Sequence, residues 1–160
     1  MFDVIIGAST ALALAVGLLA AIWDIKTRTL PDVLNLIIVG IALLGQLPVW
    51  IYGSGLRNFA GLLVALLAGL LLFLIQLVRP DDFGGGDVKY GFALVLVVAL
   101  REPIVGVWAL LLPFVISGVF TAIGLLTKRL RRESHIPFGP FQWLGAVISL
   151  AGASWFRVLA

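Results

Sequence analysis

Residues 59–78, FAGLLVALLAGLLLFLIQLV, decide the fold class, because twenty consecutive residues contain a single polar side chain, Gln76. About 20 apolar residues is the length that an α-helix needs to cross a bilayer. The whole chain is 62% hydrophobic and only 12% charged, with a mean hydropathy of +1.18, whereas a soluble domain carries about 25% charged residues. These values predict a polytopic membrane protein and exclude a soluble enzyme.

Working outward from this stretch, apolar segments recur along the chain. Gln46 and Pro48 interrupt the second segment late, and Pro113 lies inside the fifth, where it could kink a helix. We predict an all-α fold with six transmembrane helices, forming a single membrane-embedded domain over residues 1–160. The six predicted spans are 4–23, 33–51, 59–78, 88–100, 104–126 and 138–155.

The distribution of lysine and arginine predicts the orientation. Positive residues concentrate on the cytoplasmic side of a membrane protein. The first, third and fifth connections hold eight of them: Lys26, Arg28, Arg79, Lys89, Lys128, Arg129, Arg131 and Arg132. The opposite side holds Arg57, Arg101 and Arg157. We therefore expect a multi-pass protein of the cytoplasmic (inner) membrane with both termini outside. The first segment follows Asp3 rather than a basic region, so it is expected to stay as a helix.

Two aspartates adjoin apolar segments on the predicted cytoplasmic side. Asp24 follows Trp23 at the end of the first segment, and Asp87 precedes Val88 at the start of the fourth. Ionisable groups at membrane depth are costly and tend to be functional. Two neighbouring carboxylates share a proton, which supplies one general base and one general acid. This is aspartic protease chemistry, and it requires neither a metal nor a cysteine. The chain has no cysteine and one histidine, His135.

The glycines that precede Asp87 fit this chemistry. Gly84-Gly85-Gly86 allows backbone torsions closed to other residues and lets another chain approach closely. Because a helix N-terminus favours an anion, we expect Asp87 to be the more readily ionised member and Asp24 the more often protonated one. A structural alternative remains open: Asp87 could be a helix N-cap, and Asp24 could pair with Arg28.

Three blocks together resemble the type IV prepilin peptidase family, the membrane aspartic proteases of the G-x-G-D class. The first is DIKTRTLPDVLN at 24–35, and the second is GGGDVK at 84–89. The third is IPFGPF at 136–141, at the opening of the last apolar segment. The order of the blocks, and their place on the predicted cytoplasmic side, agree with the family.

The resemblance implies a function and a set of site residues. Members cut the basic leader from type IV prepilin-like precursors (pilins, pseudopilins or archaeal flagellin-like proteins) at the cytoplasmic face, beside the precursor's apolar helix. The catalytic aspartates match Asp24 and Asp87, the motif glycines match Gly84 and Gly86, and the following lysine matches Lys89. Longer members carry a zinc-binding cysteine region. This cysteine-free chain resembles the short peptidase-only form, so we expect no metal, no cofactor and no N-methylation of the product.

Other interpretations remain beside this one. A small proton-coupled transporter or channel would carry protons on the aspartates, and a non-catalytic pilus assembly factor would keep only the fold. Lys89 either orients the backbone and charge at Asp87 or snorkels to the membrane surface. The expected partners are a prepilin-like precursor and the bilayer, with no nucleic acid. The sequence leaves open which precursor is cut and the oligomeric state.

Overall fold

The computed structural model describes residues 2–53, 56–80, 83–131 and 136–159, with side chains described from residue 3 to residue 153 within these ranges. Arg132 and His135, and the side chain of Arg157, lie outside the described residues. The described residues form seven α-helices and no strand. The helices are α1 (Phe2–Thr27), α2 (Asp32–Gly45), α3 (Leu47–Tyr52), α4 (Leu56–Val78), α5 (Gly85–Ala99), α6 (Pro103–Leu126) and α7 (Gly139–Leu159).

Each of the six predicted apolar segments is helical, so the predicted all-α fold is confirmed. The second segment is divided between α2 and α3, because the backbone turns at Gln46 ahead of Pro48. Among the described residues, four stretches are long and apolar enough to cross a membrane: α1, α2 with α3, α4 and α6. Pro113 does not end α6, which runs without a break to Leu126.

The short helix α5 forms the centre of the molecule. Every residue from Tyr90 to Ala99 except the partly buried Phe92 is buried, and α1, α2, α4, α6 and α7 all pack against it. Its fifteen residues span about 22 Å at 1.5 Å per residue, less than the hydrocarbon core of about 30 Å. A helix that is apolar on every side is typical of a buried position, so neighbouring helices rather than lipid surround α5.

Small residues bring α4 close to α5. Gly61 and Ala65 are buried on α4, and a side chain at Gly61 would overlap the backbone carbonyl of Ala99. The next residue at this spacing, Gly69, lies against the ring of Phe92. Small residues four apart permit such close approach of membrane helices.

Two polar side chains tie α1 to its neighbours within the apolar interior. The Tyr90 hydroxyl on α5 donates to the carbonyl of Gly17, at 2.7 Å, and the Trp143 indole N–H on α7 donates to the carbonyl of Leu14, at 2.8 Å. Buried aromatic residues with a polar tip need such partners. The two hydrogen bonds hold α1, α5 and α7 in a common register, and this register positions the ends of these helices.

Candidate functional site

Asp24 lies on the buried face of α1. Thr10, Ala13, Gly17 and Ala20 are buried along this helix at steps of three or four residues, and Asp24 is the next in the series. Residues at this spacing share one face of an α-helix. The carboxyl group therefore points into the protein, and Asp24 is only 5% exposed.

Asp87 lies in the first turn of α5, on the face that carries the buried Tyr90 and Gly91. It is not the N-cap: that position is Gly84, whose N–H donates to Oδ2 of Asp87 at 3.2 Å. Asp87 is therefore not the N-cap that the sequence left open as an alternative. Its carboxylate instead accepts a hydrogen bond from Gly84, three residues earlier in the glycine loop.

The two aspartates line one cleft of about 260 Å³ at the end of the helix bundle that we call the aspartate end. The other lining residues come from the connection between α1 and α2 and from the glycine loop: Arg28, Thr29, Leu30, Asp32, Gly84 and Gly86. Residues 63 positions apart in the chain (24 and 87) are thus brought to one concave site. Such a site, with few and convergent polar groups, is where substrates bind.

The partner of Asp24 comes from α7 rather than from its own helix. The backbone N–H of Gly139 donates to Oδ2 of Asp24 at 3.0 Å, and this hydrogen bond is buried. A Cβ at position 139 would approach the same oxygen to 2.8 Å, closer than real side chains pack. In the part of the chain that the structure describes, no ion pair joins Asp24 to Arg28. Gly139, at the opening of the last apolar segment, thus contacts Asp24 directly.

Gln142, also on α7, holds the first turn of α5. Its side-chain Nε2 donates to the backbone carbonyl of Asp87 at 2.9 Å, and the residue is 3% exposed. The sequence analysis gave Gln142 no role. The available signal was a polar residue four positions into the last apolar segment, one helical turn after Phe138. The start of α7 therefore contacts both aspartates.

Burial and mutual charge govern the electrostatics of the two aspartates. Asp87 precedes the apolar segment 88–100, and the pKa of its carboxyl group is raised from 3.8 to about 6. Burial is the larger cause and the charge of Asp24 the second, while the hydrogen bond from Gly84 opposes both. Asp24 accepts a buried backbone N–H, a contact that stabilises a carboxylate. Asp24 is itself only 5% exposed, so burial acts on both carboxyl groups. Which of the two holds the shared proton therefore stays a prediction.

The glycine loop acts through close approach, not through unusual torsions. Gly84 has ordinary extended torsions (φ −79°, ψ 155°), and no described glycine has a positive φ. A side chain at Gly86 would come within 3.1 Å of Cβ of Leu30. The segment that approaches the glycine loop is therefore the protein's own connection between α1 and α2. This connection closes one side of the cleft.

Lys89 contacts neither the carboxyl group nor the backbone of Asp87. Its Nζ lies 2.8 Å from both carboxylate oxygens of Asp32, and both side chains are exposed. The ion pair joins α5 to the first residue of α2. Neither sequence interpretation foresaw this partner, although Asp32 lies in the same quoted block as Asp24.

Within the described ranges, no three His, Asp or Glu side chains lie close enough together to hold a metal ion.

Comparisons with known proteins add one match. The model of the type IV leader peptidase family matches residues 11–127, which include both aspartates and the glycine loop. The matched range ends before Gly139 and Gln142. No curated protein and no solved structure gives a significant match.

Proposed function

Because the chain belongs to the type IV leader peptidase family, we propose that it is a membrane aspartic endopeptidase that removes the leader of type IV prepilin-like precursors. The observation that carries this proposal is the convergence of Asp24 and Asp87 on one cleft beside the glycine loop. A leader peptidase needs a base and an acid at the scissile bond, and these carboxyl groups are suited to both roles.

The surroundings of each carboxyl group support a division of labour. Asp24, as carboxylate, takes a proton from a water molecule whose oxygen attacks the carbonyl carbon of the scissile bond. Asp87, whose pKa burial raises to about 6, holds the pair's proton in this proposal and donates it to the leaving nitrogen as the C–N bond breaks. The proton that Asp24 received then restores the starting state of the pair. Two interacting carboxyl groups titrate together, so both are needed for each turnover.

The remaining site residues have supporting roles in this proposal. Gly84 donates to Asp87, and Gly86 lets the first connection approach. Lys89 holds Asp32 and thereby the start of α2. We do not assign any of the three to the reacting atoms.

The aspartate end faces the cytoplasm in this proposal. The six helical segments, including α5 and α7, cross the inner membrane as one domain over residues 1–160, with both termini outside. The charge distribution supports this orientation: Lys26, Arg28, Arg79 and Lys89 lie at the aspartate end, and the connection after α6 adds further basic residues. The precursors are pilins, pseudopilins or flagellin-like proteins with a basic leader before an apolar helix.

The test is leader removal by membranes that contain the protein. Wild type should shorten a prepilin-like precursor, and Asp24→Asn and Asp87→Asn should each lower the rate at least about 10³-fold, because a triad or dyad that acts as a unit fails when one member is lost. Asp3→Asn, at the far end of α1, is the matched control and should cleave as wild type. Cleavage that persists in both site variants would contradict the assignment of Asp24 and Asp87, and absence of cleavage with wild type would favour a non-catalytic assembly factor.

A further inference from the structure

A second cavity, which we call the lateral groove, opens beside the cleft. It has a volume of about 400 Å³ and lies between α2 and α4, over α5. Its walls are mostly apolar and include Leu36 and Val39 on α2, Gly69 on α4 and Phe92 on α5. Leu36 is 71% exposed, so the groove is open on the outer surface of the helix bundle.

A buried amide in the wall of this groove has no partner. Asn35 lines the groove and is 4% exposed, yet neither its Oδ1 nor its Nδ2 forms a hydrogen bond with any described residue. Buried polar groups in native proteins are almost always hydrogen-bonded, and an exception calls for an explanation. The hydrocarbon chain of a lipid could fill the groove, but it has no donor or acceptor that could hydrogen-bond to the amide.

The lateral groove adjoins the cleft. Asp32 lines both cavities, and it precedes Asn35 by one helical turn on α2. Val88 and Lys89, which follow Asp87 directly, line the groove as well. An occupant of the groove that continued past Asp32 would reach the two aspartates.

We propose that the lateral groove receives the start of the precursor's apolar helix, with Asn35 hydrogen-bonded to its backbone. This inference rests on the proposed function, because it concerns the substrate of that site. The first four N–H groups of a helix have no partner within the helix, so Oδ1 of Asn35 can accept one of them. Its Nδ2 donates to a carbonyl of the extended segment that leads to the cleft. The groove thus positions the scissile bond, and Asn35 is a positioning residue.

The first experiment replaces Asn35 by leucine, which keeps the side chain's size and removes its hydrogen-bonding groups. The substrate is a precursor with a basic leader and an apolar helix of about 20 residues, reconstituted with the enzyme in phosphatidylethanolamine–phosphatidylglycerol vesicles. Asn35→Leu should raise KM at least tenfold and change kcat much less. Asn58→Leu is the matched control, since Asn58 is also buried with an unpartnered Nδ2 but lies at the opposite end, on α4; its KM should match wild type. A wild-type KM for Asn35→Leu would overturn the proposal.

The second experiment does not depend on cleavage. A photoreactive benzoylphenylalanine replaces Leu36, which lines the groove, or its neighbour Ile37, which is 43% exposed but outside it; both are made in the Asp87→Asn background. Position 36 should crosslink to the first turns of the precursor helix and position 37 should not. Crosslinks from position 36 to lipid alone would overturn the groove proposal. If wild type cleaves no precursor but position 36 still captures its helix, the proposed catalysis fails while the groove stands.

Discussion

Individual hydrogen bonds hold the two aspartates in place. Asp24 keeps its place because a backbone N–H, not a side chain, meets its Oδ2 oxygen. The close contact is possible only because residue 139 has no Cβ. On the other side, Asp87 is held by the N–H of Gly84 and, through its carbonyl, by Gln142. Each carboxyl group is thus oriented by a backbone N–H, which does not titrate.

Gly139→Ala should impair cleavage at the residue scale. The new methyl group would stand 2.8 Å from Oδ2 of Asp24, so either the carboxyl group or the start of α7 must move. Misplacement of a catalytic group by about 1 Å can cost about 100-fold in rate, so we expect kcat to fall about 10- to 100-fold, as measured by leader removal.

Gly152→Ala is the control on the same helix, because a Cβ there meets nothing within 4 Å. It should cleave as wild type. Full activity of Gly139→Ala would show that the hydrogen bond from residue 139 is not needed to position Asp24.

Among the helices, α1 and α5 reach the cleft in different ways. α1 presents small residues and then Asp24 along one face, whereas α5 is buried on all sides and only its first turn reaches the cleft. The depth of α5 depends on how closely α4 approaches it. Gly61 is the point of closest approach, against the carbonyl of Ala99 and the backbone of Leu100. Backbone contact with α4 therefore fixes the C-terminal end of α5. This contact also fixes the position of the first turn of α5 along the helix axis.

Gly61→Ala should destabilise the fold at this contact. Overpacking of a tight interface costs about 1–3 kcal/mol, and backbone atoms of Ala99 cannot rotate away as a side chain could. We expect the Tm of the protein in detergent to fall by several degrees. Gly40→Ala, on α2 with no atom within 4 Å of the new Cβ, should leave the Tm unchanged or raise it. Equal Tm values for Gly61→Ala and wild type would contradict the close approach.

At the scale of the whole molecule, the charged side chains that form the site and the ion pairs lie at the two ends of an apolar bundle. Asp24, Asp87 and the Lys89–Asp32 ion pair lie at the aspartate end. At the opposite end, Arg57 bonds to Glu102, at 2.6 Å, and to the carbonyl of Arg101. This separation is what a bilayer requires, because charged groups avoid the hydrocarbon core.

The proposed orientation can be tested with single cysteines, since the chain has none of its own. Thr29→Cys, in the connection after α1, should react with a membrane-impermeant thiol reagent only after the inner face is exposed. Arg101→Cys, between α5 and α6, should react from the outside in intact cells lacking an outer-membrane barrier. Because removing Arg101 lowers the positive charge outside, it should not invert the protein. The reverse labelling pattern would place the cleft on the wrong side for cytoplasmic leader removal.

Much of the fold could be predicted from local patterns. The lengths of the apolar segments indicated every helical segment, and the prediction for 59–78 agrees closely with α4 at Leu56–Val78. The inward direction of Asp24 follows from its helical spacing after Ala13, Gly17 and Ala20, a signal that was present in the sequence. By contrast, the fourth predicted segment, 88–100, differed from the third, 59–78, only in being shorter, and this difference did not place α5 at the centre of the bundle.

The sequence by itself determined the helices, their apolar character and the chemistry of two acidic side chains, because these depend on composition and on contacts within one segment. Only the tertiary structure decided what surrounds those side chains. The contact of Gly139 with Asp24 joins residues 115 positions apart, and the raised pKa of Asp87 follows from its burial and from the charge of Asp24. Such terms depend on how separate helices pack, and packing is a property of the assembled bundle rather than of any single stretch of the chain.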